Sequence, residues 1–409
     1  MKNRRERTKE AIIKQCAKGE TTAKDAAQRL GISIRQVENL KKKYREGVSM
    51  LHGNCGRVSA KALDEMLVQR VLSEYGKVKG LNPNFTHFRE ILEGKGIKIS
   101  YTALRALLIK SGYNSPKKRR KRKENPHKTR ERREKFGELL QTDATPYEWF
   151  GDEGKYALHG MIDDATGRIT ALHLSVNECM DGYLEIMRQT LERYGTPEAL
   201  YADGLSIFFS HEKGSELSID EELNGIYERK TQFGDICGEL GVELIHARSS
   251  QAKGRVERLW GTLQSRLPVE FGLRGIKDIG AANKFLKDEY IDMFNNQFGV
   301  SPDAVSCFVV LPESVDLDML LSFKIARKAD SGGVFSLRNV KFRVVGNIAN
   351  REVLLHIGTR IGMVAVNNGK CFPVVPIGQM KKSIKSTDSV DMILSRFVSA
   401  FCLKDEHVA

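Results

Sequence analysis

The sequence predicts a multidomain chain: all-α helix-turn-helix units at the N-terminus, a central α/β domain, and a small β-barrel at the C-terminus. Three observations carry that reading. The first third is strongly basic and reads as short amphipathic helices broken by glycine turns. Residues 136–300 alternate apolar strands with helices, and residues 331–380 hold short strands divided by glycine and asparagine turns. At 409 residues the chain has room for several cores. Charge is divided unevenly. Residues 1–135 carry 36 Lys and Arg against 14 Asp and Glu, net +22, and the remainder carries 30 against 38, net −8. A polycation of this size suits phosphates. An acidic membrane surface would need a long amphipathic apolar face, which the segment lacks. No apolar run approaches the ~20 residues of a membrane span, and the polar N-terminus has no signal-peptide core. Seven cysteines, odd in number and never closely spaced, argue against a zinc finger or disulfide framework and for a cytoplasmic setting.

Residues 1–50 read as a helix-turn-helix domain. A helix over 8–20 turns Ile12, Ile13 and Cys16 inward, and a second from Thr22 to Leu30 packs through Ala23, Ala26, Ala27 and Leu30. Gly31-Ile32-Ser33 makes a tight turn, and a third helix from Ile34 to Glu46 turns in Val37, Leu40 and Tyr44. That geometry puts Ser33, Arg35, Gln36 and Asn39 at the groove-facing start of a recognition helix, with Lys41, Lys42 and Lys43 reaching phosphates. The plainer alternative is a basic three-helix packing module. Residues 51–115 repeat the theme with helices at 60–76, 84–94 and 100–111, the last opening at Ser100. A second helix-turn-helix-like DNA-binding domain is expected there, a helical spacer being the alternative. Residues 116–135 form a basic linker, because a like-charge block cannot build a packed core. Lys117, Lys118, Arg119 and Arg120 can lie along a phosphate backbone.

The central domain, 136–300, opens with Leu139-Leu140-Gln141-Thr142-Asp143, a short strand ending at an aspartate. Strands Tyr156–Ile162 and Ile169–Leu174 follow, joined by a hairpin turn in which Asp163 and Asp164 serve the turn itself. A helix from Asn177 to Tyr194 stops at Gly195 and Pro197. Ala199–Ala202 is a strand ending at Asp203, Thr231–Leu240 a helix, and Val242–His246 a strand. The last helix starts near Ser250, with Val256, Leu259, Trp260, Leu263 and Leu267 as its apolar stripe. This order makes the first and fourth strands parallel neighbours. Asp143 and Asp203 then stand side by side at their C-terminal ends, and the last helix brings Glu257 across. Three carboxylates crowd together only when cations neutralise them. Hard oxygen donors select Mg²⁺ or Mn²⁺, and two such ions about 4 Å apart can hold a scissile phosphate. Lys253, Arg255 and Arg258 become phosphate contacts in that setting, although a charged helix face alone reads as salt-bridged surface. His159, His173, Tyr147, Trp149 and Trp260 read as packing residues. Residues 301–330 are a connector, 331–380 the barrel, and 381–409 a tail with one helix from Val390 to Phe401.

Around these carboxylates the residues Thr142-Asp143-Ala144-Thr145-Pro146-Tyr147-Glu148-Trp149, Tyr201-Ala202-Asp203-Gly204 and Gln251-Ala252-Lys253-Gly254-Arg255-Val256-Glu257-Arg258-Leu259-Trp260-Gly261-Thr262-Leu263 resemble bacterial insertion-sequence transposases. Their catalytic core is similar to that of retroviral integrases and has the ribonuclease-H-like fold. The resemblance covers most of the chain. It implies Asp143, Asp203 and Glu257 as a catalytic, metal-binding triad holding two Mg²⁺ (or Mn²⁺) ions. It implies double-stranded DNA as partner, both element terminal repeats and target, with at least a dimer on that DNA. The implied reaction is nicking of element ends by water, then attack of the freed 3′-hydroxyls on target DNA. A catalytically inactive DNA-binding regulator derived from such an enzyme is the alternative. Two departures stand out. The 53 residues between Asp203 and Glu257 exceed the family's usual spacing, and the excess is acidic (Glu212, Glu216, Asp220, Glu221, Glu222), which suits a loop away from DNA. Gln264 stands where members often carry Lys or Arg, so positive charge there has to come from Arg258 or Arg266.

Overall fold

The computed structural model describes residues 4–49, 63–116, 131–151, 154–209, 231–247, 254–300, 306–338, 340–348, 351–377, 390, 393–395 and 397–398. The linker residues Lys117, Lys118, Arg119 and Arg120, together with Lys253, lie outside them. The chain forms two compact units, 1–71 and 72–409.

In the first unit, α1 (Arg4–Ala17), α2 (Ala23–Leu30) and α3 (Ile34–Arg45) close on Ile13, Cys16, Ala26, Ala27 and Val37. Small alanines let α2 approach its neighbours, and Gly31 ends it in the left-handed conformation at φ 64°. The start of α3 is a capping box. Ser33 Oγ accepts from the Gln36 N–H at 3.3 Å, and Gln36 Oε1 accepts from the Ser33 N–H at 3.1 Å.

Helix α4 (Glu65–Val78) spans the boundary between the units, and α5 (Phe85–Gly94) and α6 (Tyr101–Lys110) belong to the second. Asn84 caps α5 and Ser100 caps α6, while Leu104 and Leu108 turn the inner face of α6 into the core.

The central sheet has five strands: β1 (Leu140–Tyr147), β2 (Tyr156–Asp163), β3 (Ile169–Ser175), β4 (Ala199–Ala202) and β5 (Glu243–His246), in the order β3-β2-β1-β4-β5. The first three are antiparallel, and β4 and β5 run parallel to β1. This is the strand order expected of a ribonuclease-H-like core. One face is covered by α7 (Met180–Arg193) and α8 (Gln232–Leu240), through Tyr183, Ile186, Met187, Phe233 and Ile236. The other is covered by α9 (Gly254–Leu263), α10 (Leu267–Arg274), α11 (Ile279–Phe285) and α12 (Ile291–Phe298), the last two joined by a π-helical turn over Leu286–Tyr290. Val256, Leu259, Trp260, Leu263 and Phe271 fill that side.

Strand β1 runs four residues past Asp143, which corrects the expectation that it ends there. It pairs with β4 only at Leu140 and Gln141 but with β2 along its whole length. Beyond Gln141 its other side is an edge, where Pro146, lacking an N–H, breaks no ladder bond.

Helix α5 is fastened to α10 and the start of its loop. Arg266 Nη2 donates to Glu90 Oε1 at 2.9 Å, and Asn84 Nδ2 donates to Ser265 Oγ at 3.3 Å. His87 Nε2 lies 2.6 Å from Glu270 Oε1, and Arg274 pairs with the same glutamate. Burial works to raise the Glu270 carboxyl, but the His87 hydrogen bond and the Arg274 charge outweigh it and hold it below the usual range.

The C-terminal sheet has six antiparallel strands, β6 (Phe323–Lys328), β7 (Val334–Leu337), β8 (Val340–Val344), β9 (Glu352–Gly358), β10 (Gly362–Asn367) and β11 (Lys370–Pro376), in the order β6-β9-β10-β11-β8-β7. Its two edges are consecutive strands, so it forms a nearly closed barrel. The barrel begins with β6, inside the stretch read from sequence as connector. Val390, Ile393, Leu394 and Val398 of the tail pack against it. Among the described residues no helix is long and apolar enough to cross a membrane.

His159 on β2 is fully buried; its Nε2 accepts from the Cys179 N–H at 3.2 Å. Burial, with the nearby His173, pushes it down to about 4 from an ordinary 6.5. Between those values the unfolded chain takes up a proton that the folded protein refuses. Stability is therefore full above pH 6.5 and falls as pH drops, by on the order of 3 kcal/mol at pH 4. Denaturant midpoints measured from pH 7 to 4.5 are expected to fall less in His159→Gln than in the parent. Equal slopes would remove this role from His159.

Candidate active site

The last pair between β1 and β4 is Gln141 opposite Tyr201. Two residues further along each strand, in that same parallel register, come Asp143 and Asp203. The pair therefore stands at the C-terminal end of β4 beside β1, as the element order required. Each aspartate has its own hydrogen-bond donor. Asp143 Oδ2 accepts from Trp260 Nε1 at 2.8 Å, and Asp203 Oδ1 accepts from the Leu205 N–H at 3.2 Å. Both lie near the buried Tyr183, whose hydroxyl donates to Glu178 Oε1 at 2.5 Å. Burial first, and then Glu178, Asp143 and Asp203, hold that phenol well above its ordinary value.

Trp260 is the site residue that sequence reasoning missed. Its helical spacing marks it as core, and its ring is indeed 94% buried, but the indole N–H reaches the aspartate. A buried indole needs a hydrogen-bond acceptor, and that was the available signal. Gly160, the β2 partner of Asp143, makes room for the ring: a Cβ there would come within 2.9 Å of Trp260 Cη2. Trp260→Phe keeps the packing and removes the donor. It is expected to lower turnover about tenfold, the scale of one hydrogen bond to a charged group, with little change in thermal stability. Unaltered turnover would leave Trp260 as packing alone.

Glu257 lies on the exposed face of α9, three residues before Trp260, so about one helical turn separates it from the residue holding Asp143. Among the described residues, no three His, Cys, Asp or Glu side chains come close enough together to hold a metal ion. Asp143, Asp203 and Glu257 thus do not converge as the sequence reading expected. Each aspartate is held by a separate donor, and like charges oppose closer approach.

The cations around Glu257 divide. Arg258 is exposed. Arg255 is half-buried, and its Nε donates to Oδ1 of the fully buried Asp164 at 2.8 Å. Gln141 Nε2 donates to the same oxygen at 2.8 Å, and the Arg133 N–H donates to Oδ2 at 2.9 Å. Asp163 and Asp164 are structural, as their turn position suggested. Arg266, offered from sequence as a possible source of charge near DNA, is buried and bound to Glu90, its guanidinium 4.8 Å from the Phe298 ring centre. Gln264 Nε2 donates to Thr145 Oγ1 at 3.1 Å, fixing α9 to β1. Trp149 is fully buried and donates to the Tyr156 carbonyl.

In the first unit Ser33, Arg35, Gln36, Asn39, Lys42 and Lys43 are exposed. Lys41 is half-buried and pairs with Glu38 at 3.1 Å, and Lys42 approaches Glu46 at 3.9 Å. Such exposed pairs contribute little and exchange readily for other anions.

Residues 8–52 match the helix-turn-helix domain family. The chain is 34% identical over 367 residues to the transposase for insertion sequence IS1202 of Streptococcus pneumoniae, covering 82% of this chain and 77% of that one. Among solved structures it is similar to the HTLV-2 integrase catalytic core domain in complex with magnesium (trimeric form), at 17% identity and a TM-score of 0.29, over 41% of this chain and 91% of that one. A TM-score that low leaves the fold to rest on the strand order. The match to the Streptococcus pneumoniae protein, over more than three quarters of each chain, decides the family: this chain belongs to the insertion-sequence transposases.

Proposed function

We propose that this transposase cuts and joins DNA at the C-terminal ends of β1 and β4, with Asp143, Asp203 and Glu257 as its catalytic carboxylates. The observation that carries the proposal is that Asp143 and Asp203 each follow by two residues the last β1–β4 pair, Gln141 opposite Tyr201, and both act on the buried Tyr183, on a sheet covered by the helix bearing Glu257. The donor set is all carboxylate, which suits a hard divalent cation, Mg²⁺ or Mn²⁺. Asp143 and Asp203 would hold such an ion, and Glu257 would have to close on them to complete the set. Two bound ions would supply charge neutralisation for the attacked phosphate and lower the pKa of the attacking water or hydroxyl. The residues themselves bind and orient. Trp260 sets the Asp143 carboxylate, the Leu205 N–H sets Asp203, and the Gln264–Thr145 bond keeps α9 in place over the strand ends.

In this reading α3 reads the element ends through Ser33, Arg35, Gln36 and Asn39, with Lys41, Lys42 and Lys43 on phosphates. The capping box leaves the Ser33 hydroxyl proton and the Gln36 amide NH₂ pointing outward as donors. The basic linker with Lys117, Lys118, Arg119 and Arg120, and Lys253 and Arg258 beside Glu257, add backbone contacts. Element ends come in pairs, so the active assembly is at least a dimer on double-stranded DNA. The test is incubation of the purified protein with labelled element-end DNA and Mg²⁺. Joined strand-transfer products are expected. Hydrolysed ends alone would favour a simple nuclease, and binding without either product a regulator.

A further inference from the structure

A groove of about 1550 Å³ runs between α6, with the start of α5, on one side and α9 on the other. Tyr101, Arg105 and Ile109 line the first wall, spaced four residues apart on the face of α6 beside the one that carries the buried Leu104 and Leu108. Tyr101 and Ile109 are 40% and 43% exposed, so two partly open apolar side chains flank Arg105 along this stripe. Glu257, Arg258, Gly261 and Thr262 line the second wall. Both arginines are exposed, and among the described residues neither has a carboxylate partner. A Cβ on Gly261 would meet nothing within 4 Å, which leaves that wall low and open. The walls are held apart rigidly, because α5 is fastened to the end of α9 and to α10 through Asn84–Ser265, Glu90–Arg266 and His87–Glu270. Pro116 lines the rim, and the sequence continues from it directly into Lys117-Lys118-Arg119-Arg120.

A cleft with an arginine on each wall and an open aromatic suits a phosphodiester strand. Cations fix the backbone, and the aromatic takes a sugar or base face. An acidic or purely apolar ligand would leave either the arginines or the Tyr101–Ile109 stripe unmatched. We propose that this groove seats the DNA strand whose phosphate is attacked, with Arg105 and Arg258 gripping its backbone on opposite sides and Tyr101 against the nucleotide beside the cleaved end. Helix α6 is then a wall of the active site and a positioning element for the reaction, in addition to any part in end recognition. The proposal rests on Glu257 being catalytic.

The test uses full-length protein carrying Asp203→Asn, which binds DNA without consuming it, with p-benzoylphenylalanine placed at Tyr101 and labelled element-end DNA as probe. Crosslinks are expected at nucleotides adjoining the cleaved end. In the otherwise intact enzyme, Arg105→Glu is expected to lower strand transfer at least about tenfold while Arg105→Lys restores most of it. Sequence-specific binding through the first unit should change less than about threefold, which separates loss of positioning from loss of fold or recognition. Crosslinks only to DNA remote from the end, crosslinks to a second copy of the chain, or full strand transfer by Arg105→Glu would each overturn the groove assignment. Crosslinks beside the end from a protein that transfers no strands would uphold the groove and defeat the catalytic reading instead.

Discussion

Asp203→Asn is expected to lower strand transfer by at least ~10³-fold, about 4 kcal/mol of transition-state stabilisation, while leaving the fold and DNA binding close to those of the parent. The substitution is conservative where structure is concerned. The Asn side-chain oxygen can still accept from the Leu205 N–H, as Asp203 Oδ1 does at 3.2 Å. What disappears is the negative charge, and with it a strong hard-cation ligand at the end of β4. Asp143→Asn should behave alike, because an amide oxygen still accepts from Trp260 Nε1. Glu257→Gln sits on an exposed helix face and should leave the fold untouched. Three substitutions with one kinetic phenotype and unaltered melting temperatures would mark a functional unit, since residues that act together are non-additive. If Asp203→Asn retained strand transfer within tenfold of the parent, the carboxylates at these strand ends would not be the catalytic centre.

The order of elements was legible because each one carries a local signature: an apolar stripe at helical spacing, an apolar run before a turn, a glycine or proline stop. That order alone made β1 and β4 parallel neighbours, and the observed sheet order agrees. The length of β1 was not legible, since Pro146 reads locally as a terminator and is tolerated only because β4 stops pairing after Gln141. Strand β6 was hidden because Arg327 falls on the face of Phe323 and Ile325 and cuts their apolar alternation to two residues. Partners distant in sequence could not be read at all. Arg266 finds Glu90 across 176 residues and Arg255 finds Asp164 across 91, and nothing local distinguishes these arginines from Arg258, which stays exposed. Sequence places charges on a face, and only the assembled core decides which of them are neutralised there.

Arg255→Ala tests that distinction with the largest stability change we expect. Asp164 is fully buried at the turn between β2 and β3, and the Arg255 side chain beside it is 13% exposed. Gln141 links the two elements further, donating to Asp164 through Nε2 and accepting from the Val256 N–H at 3.3 Å through Oε1. Removing the guanidinium takes a charged partner from a fully buried carboxylate, and breaking such a pair from one side costs about 3–5 kcal/mol. A denaturation midpoint should register that loss directly. Asp164→Asn can keep only one of the bonds from Gln141 Nε2 and the Arg133 N–H, because they go to different oxygens, but it leaves no buried charge on the turn and the arginine left behind can reach water, so it should be milder than Arg255→Ala. Were Arg255 a phosphate contact instead, its replacement would leave stability within about 0.5 kcal/mol and weaken DNA binding with a reduced salt dependence. The two outcomes are opposite in both measurements. The buried pair predicts a protein that binds DNA normally per folded molecule and melts early, because the arginine ties α9 to the turn between β2 and β3.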